Sequence, residues 1–166
     1  MYAAGTTVAP EKSKAEIEGL LRRYGADQFV SGWSNREAMI GFRAKDRFVR
    51  FVLPIPDAES DAFWLPSSRE HAKTYATRQG VSRYWRLPAR ARELYEAEVR
   101  RLWRALALVI KAKLEAVESG ITSFEHEFMA HIVMPDGRTV GQHVSPGIEE
   151  AYRTGRVPRL LPAAAE

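Results

Sequence analysis

A single stretch, residues 89–118, carries apolar side chains at three- and four-residue steps along its whole length. This spacing places them on one face of an α-helix. Pro88 suits a first helical position, and Gly120 follows the last periodic residue, where a left-handed cap is common. The sequence therefore predicts one continuous helix, roughly 45 Å long at 1.5 Å per residue. Its apolar stripe comprises Tyr95, Val99, Leu102, Trp103, Leu106, Val109, Ile110, Leu114 and Val117.

The residues before this helix predict one further helix and a small sheet. Residues 10–24 have apolar positions at helical spacing, and Gly25 follows them. Three short β-type runs then follow at 28–33, 38–44 and 47–53. Because the links between these runs are only a few residues long, an antiparallel meander is favoured over parallel crossovers.

The remaining segments are less regular. Residues 57–87 show a weak pattern and are predicted as a long loop or insert, with a short helix over 69–77. A helix is predicted over 124–132, and another from Ser145 to Arg153, with Ser145 as its cap and Pro146 at its first position.

These elements together predict the fold class α+β. The N-terminal helix and a three-stranded antiparallel meander pack on a long central helix, and short C-terminal helices follow. We expect a single domain over 1–166, with the helix and meander in 10–56, the insert in 57–87 and a helical half in 88–155.

The composition limits the kinds of site and the compartment. The absence of cysteine excludes disulfides and thiolate metal sites and fits a reducing compartment. The N-terminus lacks the pattern of a signal peptide, and the longest apolar run, Ala105 to Ile110, is far too short to cross a membrane. We therefore expect a soluble, cytoplasmic protein.

Charge is unevenly distributed along the chain. Residues 69–113 carry twelve basic and four acidic side chains, whereas residues 114–166 carry four basic and eight acidic ones. A basic middle segment is typical of a protein that binds a polyanion. The alternative interpretation is an arginine-rich helix whose charges simply face solvent.

No arrangement of residues in the sequence predicts catalysis. His126 and His131 resemble part of a zinc-protease helix, but five residues of spacing turn them roughly 140° apart. His71 and His143 leave a metal site open as an alternative, and with it a metal-dependent enzyme. We expect no cofactor, no metal and no catalytic residue, and a protein that is not an enzyme.

The strongest indication of binding is a set of basic and aromatic residues in the 73–104 segment. Arginine neutralises phosphates and aromatic rings stack on unpaired bases, which together suit a single-stranded nucleic acid. Arg43, Arg47 and Arg50 in the strands could extend this surface. Alternatively, Tyr84 and Trp85 pack in the core and the arginines form a solvated face. The candidate residues are Lys73, Tyr75, Arg78, Arg83, Tyr84, Trp85, Arg86, Arg90, Arg100, Arg101 and Arg104. The last three lie off the apolar stripe and are expected to be exposed.

Two resemblances bear on these expectations. The stretches RFVRFVLPIPD and LVIKAKLEAVESGITSFEHEFMAHIVMPDGRTVGQ resemble small uncharacterised proteins encoded by bacteriophages and prophages, which imply no activity or catalytic residue. The order helix, meander, long helix is similar to the core of single-strand-annealing recombinases of phages and to double-stranded-RNA-binding domains. That similarity is one of element order, and a fold does not confer a function.

We therefore hypothesise a non-enzymatic nucleic-acid-binding accessory protein of phage type, with single strands favoured. The alternative is a protein-interaction module, such as a phage inhibitor or adaptor, which docks on a host or phage protein through the long helix. The preference for DNA or RNA and the oligomeric state are left open.

Overall fold

A computed structural model describes residues 3–34, 36–66 and 74–156, with the backbone alone for Thr74, Tyr75, Val81 and Arg83. It confirms the α+β arrangement of an N-terminal helix, a three-stranded antiparallel sheet, a long central helix and short C-terminal helices. The elements are α1 (Pro10–Arg23), β1 (Gln28–Trp33), β2 (Glu37–Ala44), β3 (Arg47–Pro54), α2 (Asp61–Trp64), β4 (Thr74–Arg78), β5 (Val81–Trp85), α3 (Pro88–Glu118), α4 (Phe124–Phe128), a 3-10 helix (Met129–His131) and α5 (Val140–Thr154).

The sheet has the strand order β1-β2-β3, as a meander requires. Lys45 and Asp46 alone connect β2 to β3, and both have positive φ angles, 48° and 59°. Two left-handed residues in a two-residue loop form the type I′ turn, whose twist matches that of the strands it joins. The backbone of Val133 donates a hydrogen bond to Phe48 O at 2.8 Å, so the 132–133 segment lies along the other edge of β3.

The long helix α3 is continuous, as the apolar periodicity predicted. Trp103, Leu106 and Ile110 are buried, which confirms their placement in the core. Val109 is 46% exposed, so its assignment to the buried stripe was wrong. The buried stripe of α3 is narrower than predicted at this point, because Ile110 and not Val109 occupies the inward position. The helix ends at Glu118, and Gly120 beyond it has a φ of 71°, the left-handed conformation expected of its cap.

Two predictions in the 57–87 segment were wrong. Residues 61–64 form the short helix α2, capped by the Ser60 side chain, which accepts a hydrogen bond from the Ala62 N–H. Residues 74–85 form the antiparallel hairpin β4-β5, so the helix predicted over 69–77 is a strand from residue 74 onward, and 67–73 lie outside the described residues. Gln79 and Gly80, with φ angles of 49° and 75°, form a two-residue hairpin turn, and this turn decides in favour of strands.

The C-terminal helices also differ from their predicted limits. The helix predicted over 124–132 is α4 followed by the 3-10 helix, and α5 begins at Val140 with a Thr139 and Gln142 capping box. Pro146 therefore lies inside α5, not at its first position. Pro146 has no N–H to donate to the carbonyl of Gln142, four residues earlier. That carbonyl accepts a hydrogen bond from Arg138 Nη2 instead, at 2.8 Å. This side chain explains why the helix continues through the proline.

The chain divides into two compact units. The first unit comprises Met1–Glu16, Trp33–Ala38 and Leu53–Leu108, and the second comprises Ile17–Gly32, Met39–Val52 and Val109–Glu166. The prediction of a single domain stays a prediction. Among the described residues no helix combines the length and apolar character that a membrane crossing needs.

Each unit has its own buried side chains. The larger ones of the first unit are Leu53, Phe63, Trp85, Trp103 and Leu106. Those of the second unit are Ile17, Leu20, Leu21, Ile40, Phe42, Val49, Phe51, Ile110, Leu114, Phe124 and Phe128. In the second unit, the buried apolar side chains of β2 and β3 alternate along each strand, so one face of the sheet is core and the other points outward.

Candidate nucleic-acid interface

The aromatic residues of the 73–104 segment have different environments. Trp85 is 3% exposed, and its Nε1 donates to the carbonyl of Ala76 at 3.0 Å. Its ring is therefore part of the core of the first unit, as the alternative interpretation held, and is not accessible for stacking with a nucleobase. Tyr84 is 58% exposed. Lys73 and the side chains of Tyr75 and Arg83 lie outside the described residues.

Arg78 links the hairpin to the segment around α2. Its guanidinium lies 3.5 Å from the centre of the Trp64 ring and pairs with the carboxylate of Glu59. Trp64 is held in turn by a hydrogen bond from its Nε1 to Ala58 O at 2.9 Å. These contacts stack, neutralise and largely bury the Arg78 cation, so we assign it a structural role.

Arg86 has a comparable role at the end of α2. Its Nη1 donates to the carbonyls of Ala62 and Phe63 at 3.1 and 3.0 Å, and its backbone N–H donates to Trp64 O at 2.8 Å. The last carbonyls of a helix lack partners within the helix, and a basic side chain is one of the groups that satisfy them.

Four of the five arginines of α3 are paired with carboxylates, whereas the fifth, Arg92, is exposed and has no carboxylate of the described residues within ion-pair distance. The pairs are Arg90–Glu93, Arg100–Glu96, Arg101–Glu98 and Arg104–Glu16. The hydrogen bonds from Arg101 lower the pKa of Glu98 and raise the pKa of Arg101 itself. The expectation that Arg100, Arg101 and Arg104 are exposed was wrong: all three are half-buried, because long side chains lie along the helix surface to reach their partners. A phosphate would have to displace a carboxylate from each.

The outward side of the three-stranded sheet offers a different surface, which we call the open face. It consists of the outward-pointing residues Val30, Met39, Gly41, Arg43, Phe48, Arg50 and Val52. A Cβ atom built on Gly41 would lie 2.7 Å from Phe48 Cζ and 2.9 Å from Val30 Cγ2, so these two side chains rest directly on the glycine backbone. Val30 and Val52 are 44% and 48% exposed, which leaves an apolar, partly aromatic platform in contact with solvent.

Two arginines flank this platform. Arg43 forms a two-pronged pair with Asp27, from Nε at 2.9 Å and Nη2 at 2.6 Å, and these hydrogen bonds lower the pKa of Asp27. Arg50 donates to the neutral oxygens of Gly137 and Gln142, at 2.9 and 3.3 Å. Among the described residues no carboxylate pairs with Arg50, so its positive charge is not neutralised locally.

The histidines have other partners. The His131 ring stacks on Phe51 with 4.0 Å between centroids, and burial, with Lys113 nearby, lowers its pKa. His143 Nε2 lies 2.9 Å from the Asp136 carboxylate. Within the part of the chain that the structure describes, no three histidines or carboxylates come together as a metal site would require. His71 lies outside that part.

Comparison of the chain with family models, with curated proteins and with solved structures found no match. The resemblance to phage proteins and to recombinase cores therefore stays an expectation. The sequence did contain the signal for the open face, because Phe48, Arg50 and Val52 alternate with the buried residues of β3. Arg43 and Arg50 were recognised as an extension of the basic segment, whereas Phe48 was missed.

Proposed function

We propose that the protein binds single-stranded nucleic acid on the open face of its sheet. The observation that carries the proposal is the combination of Phe48, supported on Gly41, with Arg50, which pairs with no carboxylate of the described residues. The two residues point the same way from one strand, roughly 7 Å apart. A base stacked on the Phe48 ring would bring a neighbouring phosphate within reach of the guanidinium. Aromatic platforms beside cations bind single strands without reading their sequence.

Charge favours a polyanion over a protein partner at this surface. Residues 39–52 carry four basic side chains, Arg43, Lys45, Arg47 and Arg50, and one acidic side chain, Asp46. Arg47 donates to the carbonyl of Asp46 at 3.3 Å, and within the described part of the chain it pairs with no carboxylate. Four of the five α3 arginines, by contrast, are compensated by Glu16, Glu93, Glu96 and Glu98, so we propose the sheet as the interface and not the 73–104 segment.

Fluorescence anisotropy with a labelled single-stranded oligonucleotide, over a range of salt concentrations, tests the proposal. Arg50→Gln should weaken binding and flatten the plot of log affinity against log salt by about 0.7. Phe48→Leu keeps an apolar side chain over Gly41 but removes the aromatic ring, so it should cost about 1–3 kcal/mol of affinity with little change of slope. Arg22→Gln is the matched control, because it removes one charge from an arginine already paired with Glu18.

The outcomes separate the surfaces and the classes of partner. If Arg90→Gln or Tyr84→Ala weakens binding while Phe48→Leu does not, the strand binds on the 73–104 segment. If the folded wild-type protein binds no oligonucleotide at low salt, the nucleic-acid proposal is rejected, and the protein-interaction hypothesis takes its place. Each variant is first compared with wild type by thermal unfolding, because a destabilised sheet would also lose binding.

A further inference from the structure

The second unit contains a cavity of about 150 Å³. It lies between the end of α1, strand β2, the last turns of α3 and the start of α4. Its apolar walls include Leu21, Phe42, Leu114, Val117 and Phe124. A cavity of about this volume with apolar walls is large enough to hold a benzene ring. Three of these wall residues, Phe42, Leu114 and Phe124, are almost fully buried, so rigid core side chains define its shape.

Tyr24 fixes one wall of the cavity. Its hydroxyl donates to the carbonyl of Leu114 and interacts with Glu118 Oε2 at 2.9 Å. Partial burial, together with the hydrogen bond to Glu118, raises the pKa of Tyr24 to about 12. The phenol therefore stays protonated at neutral pH and remains the donor that ties the end of α1 to α3. The Glu118 carboxylate also lines the cavity, within hydrogen-bond distance of the same hydroxyl.

Lys45 supplies a cation at the same cavity. It lies in the β2-β3 turn with a φ of 48°, a left-handed conformation that L-residues other than asparagine and aspartate seldom adopt. Its Nζ lies 5.9 Å from the centre of the Phe124 ring. No carboxylate among the described residues lies within ion-pair distance of Lys45, so an anionic group could pair with it without first displacing a protein side chain.

We propose that this cavity is a binding site for a small apolar carboxylic acid, with an aromatic ring or a branched chain of about benzene size. The apolar part would lie among Leu21, Phe42 and Leu114, where it removes hydrocarbon surface from water. The carboxylate would accept a charge-assisted hydrogen bond from Lys45 Nζ. A cationic ligand would pair with Glu118 instead, but Lys45 in the wall of the same cavity would repel it.

The test uses three probes of one size and different charge: benzoate, benzene and benzylamine, each titrated into the full chain and followed by NMR chemical shifts. Benzoate should bind saturably and shift residues that line the cavity. Lys45→Met should lower the affinity for benzoate about tenfold or more, because a charge-assisted hydrogen bond is lost. The affinity for benzene should be nearly unchanged. Lys111→Met is the matched control: Lys111 lines a second, more polar cavity of about 320 Å³ and not this one.

Two further variants keep the result interpretable. Ala26 also lines the cavity. Ala26→Leu places three additional carbon atoms at its wall and should lower the affinity for both benzoate and benzene. If Lys45→Met fails to fold, Lys45→Gln removes the charge with a more polar side chain. The proposal is overturned if benzoate binding survives both the Lys45 and the Ala26 substitutions. It is also overturned if benzylamine binds more tightly than benzoate and loses its affinity in Glu118→Gln.

Discussion

Replacing Gly141 with alanine should destabilise the protein, although the residue lies in the first turn of α5. Helix propensity alone would raise the free energy of unfolding by about 1 kcal/mol, because glycine is a poorer helix former than alanine. However, a Cβ atom at this position would lie 2.8 Å from the carbonyl oxygen of Ala130. That oxygen belongs to the backbone of the 3-10 helix and has no rotamer by which to move away.

The helix cannot withdraw freely from this contact. The backbone N–H of Val140 donates to Ile132 O at 2.9 Å, and Arg50 Nη2 donates to Gln142 Oε1 in the same turn at 3.3 Å. Overpacking of this kind costs about 2 kcal/mol at the middle of its usual range, so after the gain of about 1 kcal/mol from propensity we expect a net loss of stability of about 1 kcal/mol. For a chain of this size each 1 kcal/mol lowers Tm by roughly 2–4 °C.

Urea unfolding of Gly141→Ala, wild type and Gly19→Ala measures the effect. Gly19 lies inside α1, and a Cβ there meets no atom within 4 Å. Gly19→Ala should therefore raise the free energy of unfolding by about 0.5–1 kcal/mol, as helix propensity predicts. If Gly141→Ala is as stable as wild type, or gains stability as the control does, the contact with Ala130 does not constrain α5 and the reasoning fails.

Two further predictions concern the turn and the buried histidine. Asp46→Gly should stabilise the protein by about 0.5 kcal/mol, because the φ of 59° suits glycine better than aspartate; an unchanged or lower urea midpoint would contradict this. The pKa of His131 is lowered in the folded state, so the unfolded chain binds the proton first and stability should fall as the pH drops from about 7.5 to about 5.5. His131→Phe keeps a ring on Phe51 without titration and should flatten this decline in chemical-denaturation series, whereas an equally steep decline in the variant would assign it to other groups.

Patterns that repeat within one element allowed much of the fold to be predicted. The α3 helix was predictable because its apolar positions recur over many turns. The meander was predictable because links as short as Lys45-Asp46 permit only antiparallel pairing. The β4-β5 hairpin was missed, even though Gln79-Gly80 is a turn signal, because the segment shows no clear alternation. The start of α5 was missed because Pro146 looked like a first helical residue, and only the hydrogen bond from the Arg138 side chain to the Gln142 carbonyl reveals how the proline is accommodated.

The candidate site was predictable to a lesser extent. Three α3 pairs join residues three or four apart, such as Glu96 and Arg100, so their mutual neutralisation could have been read from the sequence. The pair Arg104–Glu16 joins distant parts of the chain and could not. Burial of Trp85 likewise depends on packing within the first unit, which periodicity does not report. The cavity beside Lys45 arises from four separate elements and leaves no local pattern.

The most direct test of the proposed function is to map the binding surface. Two-dimensional amide NMR spectra, recorded while a single-stranded oligonucleotide is titrated into the protein, show which residues sense the ligand. We expect the largest shifts in β2 and β3, at Met39 to Arg43 and Phe48 to Val52, with smaller shifts at Gly137 because Arg50 contacts it. Shifts confined to β5 and the first half of α3, or no shifts at low salt, would contradict the assignment of the open face as the nucleic-acid interface.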